Sequence, residues 1–350
     1  MAALSKIYVA ATGTITAAGA NTEMTCAAIK SGINRYGPIS FYNKRDYPMT
    51  GTSIPEEALP ELNEELKYAG LTSRVKRLLR IMQPALNEVI AEAKISEPVP
   101  LFLVGPENLS EITQAVTADI LNLIKTQTEI EIDLKSSRYF ATGRAGVIEA
   151  IELGFKFLES TQAKYVLVGG VDSYLDPALL SVLDSEKRIL AENVGDAFAP
   201  GEGAAFLLLT QDKSKSKYSV ALHRPGFGVE AGHRYCEEPY LGDGLADAFT
   251  SSIKNAAIRN INAIYSTVNG ESLSIKEFGV ASIRNSSSFN ADIEHIHPVD
   301  CVGDVGAASG ALLISIALID YRQKKIQNPV LISCSSDLAN RSAICLSKIV

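Results

Sequence analysis

Tryptophan is missing from this 350-residue chain, so aromatic burial falls to 11 phenylalanines and 13 tyrosines. Histidine is nearly as scarce: His223, His233, His295 and His297 are the full set, and no HExxH pattern holds any of them. His295 and His297 bracket Ile296 just before Pro298, and in an extended segment both would point the same way. An exposed loop explains that spacing better than a metal site, and neither a metal nor another cofactor is expected. The five cysteines (Cys26, Cys236, Cys301, Cys334, Cys345) are odd in number and form no CxxC. That argues for reduced thiols in a cytoplasmic protein, without a disulfide framework or a structural zinc site. There is no basic surplus: 33 Lys and Arg face 40 Asp and Glu, a net charge of −7, against the basic face a nucleic-acid binder needs. No stretch approaches the ~20 consecutive apolar residues of a membrane span. The apolar start at Ile7 is interrupted by Thr12, Gly13, Thr14 and Thr16, which reads as a strand entering a turn, not as a signal peptide.

What is present suits a globular chain of two packed halves, with 46% hydrophobic and 21% charged residues. Short β-rich runs alternate with helical patterns, as in an α/β chain. Strands are expected over 6–11, 100–104, 165–169, 204–209, 218–222, 329–333 and 342–347, and helices over 23–31, 72–94, 110–125, 144–159, 244–267 and 306–322. The one dense basic run, Ser73 to Arg80 (SRVKRLLR), interleaves with Val and Leu and reads as a solvated helix face. The polar run 211–217 makes a natural boundary, giving halves 1–212 and 213–350.

The two halves repeat a unit. Gly143-Arg-Ala-Gly146 opens an apolar helix that leads to a strand at Val166, and Gly306-Ala-Ala-Ser-Gly310 opens another that leads to Val330. Gly146 to Val166 and Gly310 to Val330 are both 20 residues. Helix starts this poor in side-chain bulk allow close backbone approach, and both helices are apolar most of the way round, as for helices buried between two sheets.

With those features the chain resembles the β-ketoacyl (3-oxoacyl-carrier-protein) synthases over nearly its whole length. The segment carrying most of the resemblance is a strand ending Gly169-Gly-Val-Asp-Ser173, followed by Ala199-Pro-Gly-Glu-Gly-Ala-Ala-Phe-Leu-Leu-Leu209. Ile7–Gly19 and Cys26–Ile33 resemble the family's first strand and helix. The resemblance implies a thiolase-like five-layered αβαβα fold built from a duplicated βαβαβαββ half. A subgroup of short synthase-like proteins shares the Glu238–Leu245 loop and the His297–Gly310 run; its members tend to accompany type VI secretion loci, beside effector and adaptor proteins.

Active members of the family carry a nucleophilic cysteine at a helix N-terminus, where the dipole and amide N–H groups activate it. The matching run here, Tyr139 to Arg144, puts Phe140 at that position, and Ile283 and Asp304 match the two catalytic histidines. The family's last-strand GFGG loop becomes Cys334-Ser335-Ser336-Asp337. The resemblance therefore implies a catalytically inactive homologue that acts by binding. Its partner is a second copy or an active synthase, paired through the strand 164–173, or a secreted effector that it serves as adaptor or chaperone. An acyl carrier protein or acyl-CoA is a less favoured partner. The alternative is an acyltransferase or synthase with displaced residues, Cys301 being the one thiol near the matched site. Residues expected around a residual pocket are Phe140, Arg144, Asn285, Cys301, Asp304 and Ser335. Asp304 precedes a small-residue helix start and reads as its N-cap. Arg144, a cation opposing a helix dipole, calls for an acidic partner, Glu202 or Asp304.

Overall fold

The computed structural model describes residues 6–109, 113–128, 130–192 and 194–349. The chain begins with β1 (Lys6–Thr16), α1 (Thr22–Lys30), the hairpin β2 (Gly37–Tyr42) and β3 (Pro48–Gly51), then α2 (Glu64–Lys67) and α3 (Ser73–Ala93). It continues with β4 (Leu101–Val104), α4 (Ile120–Thr128), β5 (Arg138–Phe140), α5 (Gly146–Ser160), β6 (Val166–Ser173), α6 (Pro177–Ser185) and β7 (Glu202–Thr210). Beyond an exposed link lie β8 (Val220–His223), β9 (Gly226–Val229), α7 (Asp243–Ala256), β10 (Ile261–Ser266), α8 (Ser272–Arg284) and β11 (Phe289–Ile296). The four-residue α9 (Val299–Val302), α10 (Ser309–Arg322), β12 (Val330–Ser335) and β13 (Asn340–Lys348) complete it.

The repeat seen in the sequence is written into the sheet. The strands before the link lie in the order β5-β4-β6-β7-β1 and those after it in the order β11-β10-β12-β13-β8, with β9 also on β13. Numbered by appearance within each set, both orders read 3-2-4-5-1, and in both the fifth strand runs against its neighbours. The sets join edge to edge where Lys6–Tyr8 pairs antiparallel with Ala221–His223. Helices α5 and α10 touch each other and pack against strands of both sets, so they form a middle layer. Helices α3 and α4 cover one outer face and α7 and α8 the other. This is the five-layered αβαβα arrangement expected.

Small residues make the middle layer possible. A Cβ at Gly170 of β6 would lie 2.0 Å from the Ala307 carbonyl oxygen, so only glycine lets the turn before α10 rest on that strand. Every residue of α10 from Ser309 to Tyr321 is buried. Helix α5 is less enclosed than its apolar sequence implies: Glu149, Glu152, Leu153 and Phe157 are half-buried and Lys156 is exposed.

Other expectations need correcting. The helix expected over 244–267 is two elements, because α7 stops at Ala256, Ala257 turns left-handed (φ 52°), and Ile261–Ser266 is a strand between β11 and β12. A short buried apolar run carries no periodicity that separates it from a helix. Of the helix expected over 110–125, residues 113–119 are not helical, 110–112 fall outside the described residues, and α4 starts at Ile120. The basic run is not a solvated face: Arg74 pairs with Asp172, Arg77 with Glu202 and Glu56, and Arg80 with Glu56. The strand 164–173 cannot mediate pairing either. All eight residues of β6 are buried, and the strand is bonded to β4 on one side and β7 on the other.

The glycine contacts predict opposite outcomes for two alanine substitutions. Gly170→Ala, forced against backbone, should cost roughly 1–3 kcal/mol or more in urea denaturation. Gly154→Ala in α5 meets its nearest atoms at 3.4–3.7 Å, an ordinary contact, and should leave stability unchanged or raise it by about 0.5–1 kcal/mol.

Candidate functional site

Strand β5 ends at Phe140, and the chain passes through one 3-10 turn, Gly143–Ala145, into α5. Gly143 has φ +61°, and Gly306, which opens the corresponding turn before α10, has φ +51°. The two turns touch between the sheets. Ser336, from the loop after β12, accepts the Ala145 N–H and donates to the Thr142 carbonyl, tying down the start of α5.

Arg144 therefore points into the middle of the protein, where it is 3% exposed. Its Nε donates to both oxygens of Asp304 (3.1 and 2.8 Å) and its Nη1 to Asp337 (3.1 Å). Asp337 also receives both Nη atoms of Arg188 (3.1 and 3.0 Å), and Arg188 holds Glu271 bidentately at 2.8 and 2.9 Å. Arg234 pairs with Glu271 at 2.9 Å, and Asn269 donates to both Glu271 and Asp304. The Phe198 ring lies beneath both Arg144 and Arg188, at 6.0 and 5.3 Å. Charges thus alternate from Asp304 through Arg144, Asp337, Arg188 and Glu271 to Arg234. Burial alone would raise the Asp337 carboxyl, but the guanidiniums of Arg144 and Arg188 outweigh it and hold the group below the ordinary carboxylate range. Burial likewise opposes the charge on Arg144, and Asp304 and Asp337 more than offset it.

One further carboxyl closes the cluster. Glu107, just after β4, accepts the backbone N–H groups of Asp337 (2.9 Å) and Leu338 (3.1 Å). Burial, reinforced by the neighbouring Asp337, pushes it up from 4.5 to about 7.

The structure gathers some of the expected residues and disperses others. Arg144 and Asp304 are in contact, which selects Asp304 over Glu202 as the arginine's partner; Glu202 is engaged by Arg77. Asp304 also accepts the Gly306 N–H at 2.9 Å, so it caps the turn before α10 as expected. Ser335 lines the same small cavity as Arg144. Phe140 does not stand at a helix N-terminus: it is the last residue of β5, half-buried against the core, and Gly143 holds the terminal position. Ile283 is 77% exposed on α8 and is not among the residues gathered around Arg144 and Asp304. The loop that follows a strand and reaches Asp304 is Thr267–Gly270, through Asn269. Asn285 ties the end of α8 to α7 through Ala246 and Thr250. Cys301 sits in α9 with its thiol 3.8 Å from the Ile29 carbonyl, and burial, with Asp300 beside it, raises its pKa. His297 is taken by Ser266, at 2.7 Å.

Arg188, Glu271, Asn269, Arg234 and Glu107 were not anticipated. They come from loops and an insertion without periodic pattern, which carry no sequence signal for their partners.

Little space remains. The cavity beside Arg144, Asn269 and Asp337 holds about 30 Å³ and the one beside Asp304 and Val305 about 20 Å³. That is room for one or two waters each and none for an acyl chain. Among the described residues no group of three or more His, Cys, Asp or Glu is placed to hold a metal ion, and no helix is long and apolar enough to cross a membrane.

No family model matches the sequence, and no curated protein matches it. Solved structures do match in fold. The ishigamide ketosynthase/chain length factor superposes with a TM-score of 0.78 at 14% identity, covering 99% of this chain and 100% of that one. The ketosynthase ApeO in complex with its chain length factor ApeC, from Xenorhabdus doucetiae, gives 0.77 at 16% identity, covering 98% of each chain. The oxazolomycin ketosynthase domain OzmH KS7 from Streptomyces albus JA3453 gives 0.78 at 11%, covering 99% of this chain and 75% of that one. The chain has the thiolase-like ketosynthase fold.

Two measurements check the cluster. Arg144→Ala should cost roughly 3–5 kcal/mol in urea denaturation, because it leaves the buried Asp304 without a cationic partner and Asp337 with Arg188 alone, whereas Arg144→Met combined with Asp304→Leu should recover part of the loss. For Glu107, the folded protein holds a proton between about 4.5 and 7 that the unfolded chain has released. Wild-type stability measured relative to Glu107→Gln should therefore fall as pH rises through that window.

Proposed function

We propose that this chain is a ketosynthase-fold protein that works by binding another protein and does not condense acyl groups. The observation that carries the reading is the start of α5, where no thiol stands: a glycine holds the terminal position, a carboxyl covers it, and arginine–aspartate pairs fill the surrounding space. Asn269 and Asp304, the two residues in contact there from the loop after β10 and the turn before α10, include no imidazole for proton transfer. Cavities of about 30 and 20 Å³ favour a protein partner over an acyl carrier protein or acyl-CoA presenting an acyl chain. All five cysteines are free thiols, in keeping with a cytoplasmic protein, and the division at 212/213 belongs to the same reading.

For the partner, the reading moves from β6 to β5. Among the described residues β5 is bonded only to β4, which leaves its other side as an open edge. On α5, Phe157 packs edge-on against Phe102 of β4, the strand to which β5 is bonded, and the half-buried Leu153 lies one turn before it on the same helix face. That surface suits edge-to-edge pairing with a second copy. Pairing with an active synthase is the other form, supported by the neighbour in which a ketosynthase is held by its chain length factor. The adaptor or chaperone role for a secreted effector rests on the resemblance of the Glu238–Leu245 and His297–Gly310 segments.

Thioester hydrolysis and condensation assays should find no turnover above background in wild type or Cys301→Ala. Turnover that disappears with Cys301→Ala would sink the binding reading and establish the displaced-nucleophile alternative. Light scattering should give twice the 37.5 kDa chain mass, reduced to one chain by Leu153→Lys; a wild-type monomer counts against the β5 edge.

A further inference from the structure

The Glu107 carboxyl lies in space that a side chain on residue 143 would otherwise take. A Cβ built on Gly143 would fall 2.6 Å from Glu107 Cγ, 2.7 Å from its Oε2 and 2.8 Å from its Cδ. The fit is held from the chain on both sides. The Gly143 N–H donates to the Gly105 carbonyl two residues before Glu107, at 3.2 Å, and the two carboxyl oxygens take the successive N–H groups of Asp337 and Leu338. The charged groups facing it are Asp337, from the loop after β12, and Arg144, at the start of α5; Arg144 is committed to Asp304 and Asp337.

We propose that the Asp337 and Leu338 amides, roofed over Gly143, form a binding site for a small monocarboxylate, which this chain keeps filled with its own Glu107. The occupant is supplied in cis at high effective concentration, so an external acid enters only when Glu107 is withdrawn or shortened. Two consecutive N–H donors match the two oxygens of one carboxyl, and the space is that of a single short side chain, so formate, acetate or propionate fits and a long acyl chain does not. The surroundings that hold Glu107 protonated up to about 7 act on a visiting carboxylate in the same way, so uptake of the external acid is accompanied by a proton below that pH. The site shares the Glu107–Gly143 contact with the proposed binding function, but its readout, an acetate response of Glu107→Ala, is separate from thioester turnover.

Thermal melts of wild type, Glu107→Gln and Glu107→Ala test it, with acetate compared against chloride at matched ionic strength. Acetate should raise the melting temperature of Glu107→Ala alone, with half-saturation on the order of 1–10 mM, more strongly below pH 7 than above it. An equal shift in all three proteins, or none in a folded Glu107→Ala, overturns the proposal. Should Glu107→Ala not fold, the wild-type Glu107 carboxyl followed by carbon NMR decides: titration near 7 supports a sealed carboxyl, and titration in the ordinary carboxylate range overturns it.

Discussion

A guanidinium enclosed between two sheets dictates much of what surrounds it. Arg144 follows a left-handed glycine at the first turn of a middle-layer helix, so its side chain has nowhere to go but inward. A buried cation costs several kcal/mol in lost hydration unless opposite charges and hydrogen bonds replace the water. Asp304 and Asp337 provide them, but each is an anion in the same interior and needs more than one partner. Arg188 is recruited to Asp337, Glu271 to Arg188, and the partly exposed Arg234 ends the series. The cluster is a consequence of one charge in one place, extended until it reaches water.

The same requirement explains why the site is filled. Six charged side chains, with Asn269 bridging two carboxylates, occupy the junction where the two glycine turns meet. Such a network offers little net stability compared with apolar packing of equal volume. It does impose direction: the Arg144 and Arg188 guanidiniums are each bound by a carboxylate oxygen pair, which fixes the loops after β10 and β12 relative to the start of α5. Beside Arg144 and Asp304 the voids that remain are water-sized.

The framework was legible in the sequence because it depends on periodicity and on glycine. The matched spacings from Gly146 to Val166 and from Gly310 to Val330 reported a duplicated unit, and the sheet repeats its strand order in both sets. Element type failed where pattern is mute: Ile261–Ser266 is short, apolar and buried, and reads as a continuation of α7. The pairing role of 164–173 was carried over from the resemblance, which does not fix which strand lies beside it here; eight buried residues belong to an interior strand, and the three-residue β5 is the edge. Of the site, Arg144 and Asp304 were legible because a cation at a helix start demands an anion. Arg188 and Glu107 were not, since each lies in aperiodic chain and meets its partners only through the fold.

Phe140 ends β5, and the turn into α5 opens three residues later at Gly143. Aligning a helix start by composition tolerates a shift of three, and both registers lack a thiol, but the physical meaning differs. A phenyl ring at the terminal position would make the site inert by bulk alone. Gly143 has no side chain, Glu107 lies in the space a Cβ there would enter, and Gly143's φ of +61° is one that L side chains rarely adopt. A cysteine placed at that point would set its Cβ against the Glu107 side chain. Glu107, Arg144, Asp304 and Asn269 are coupled, because each is held by another of the set or by the loop after β12.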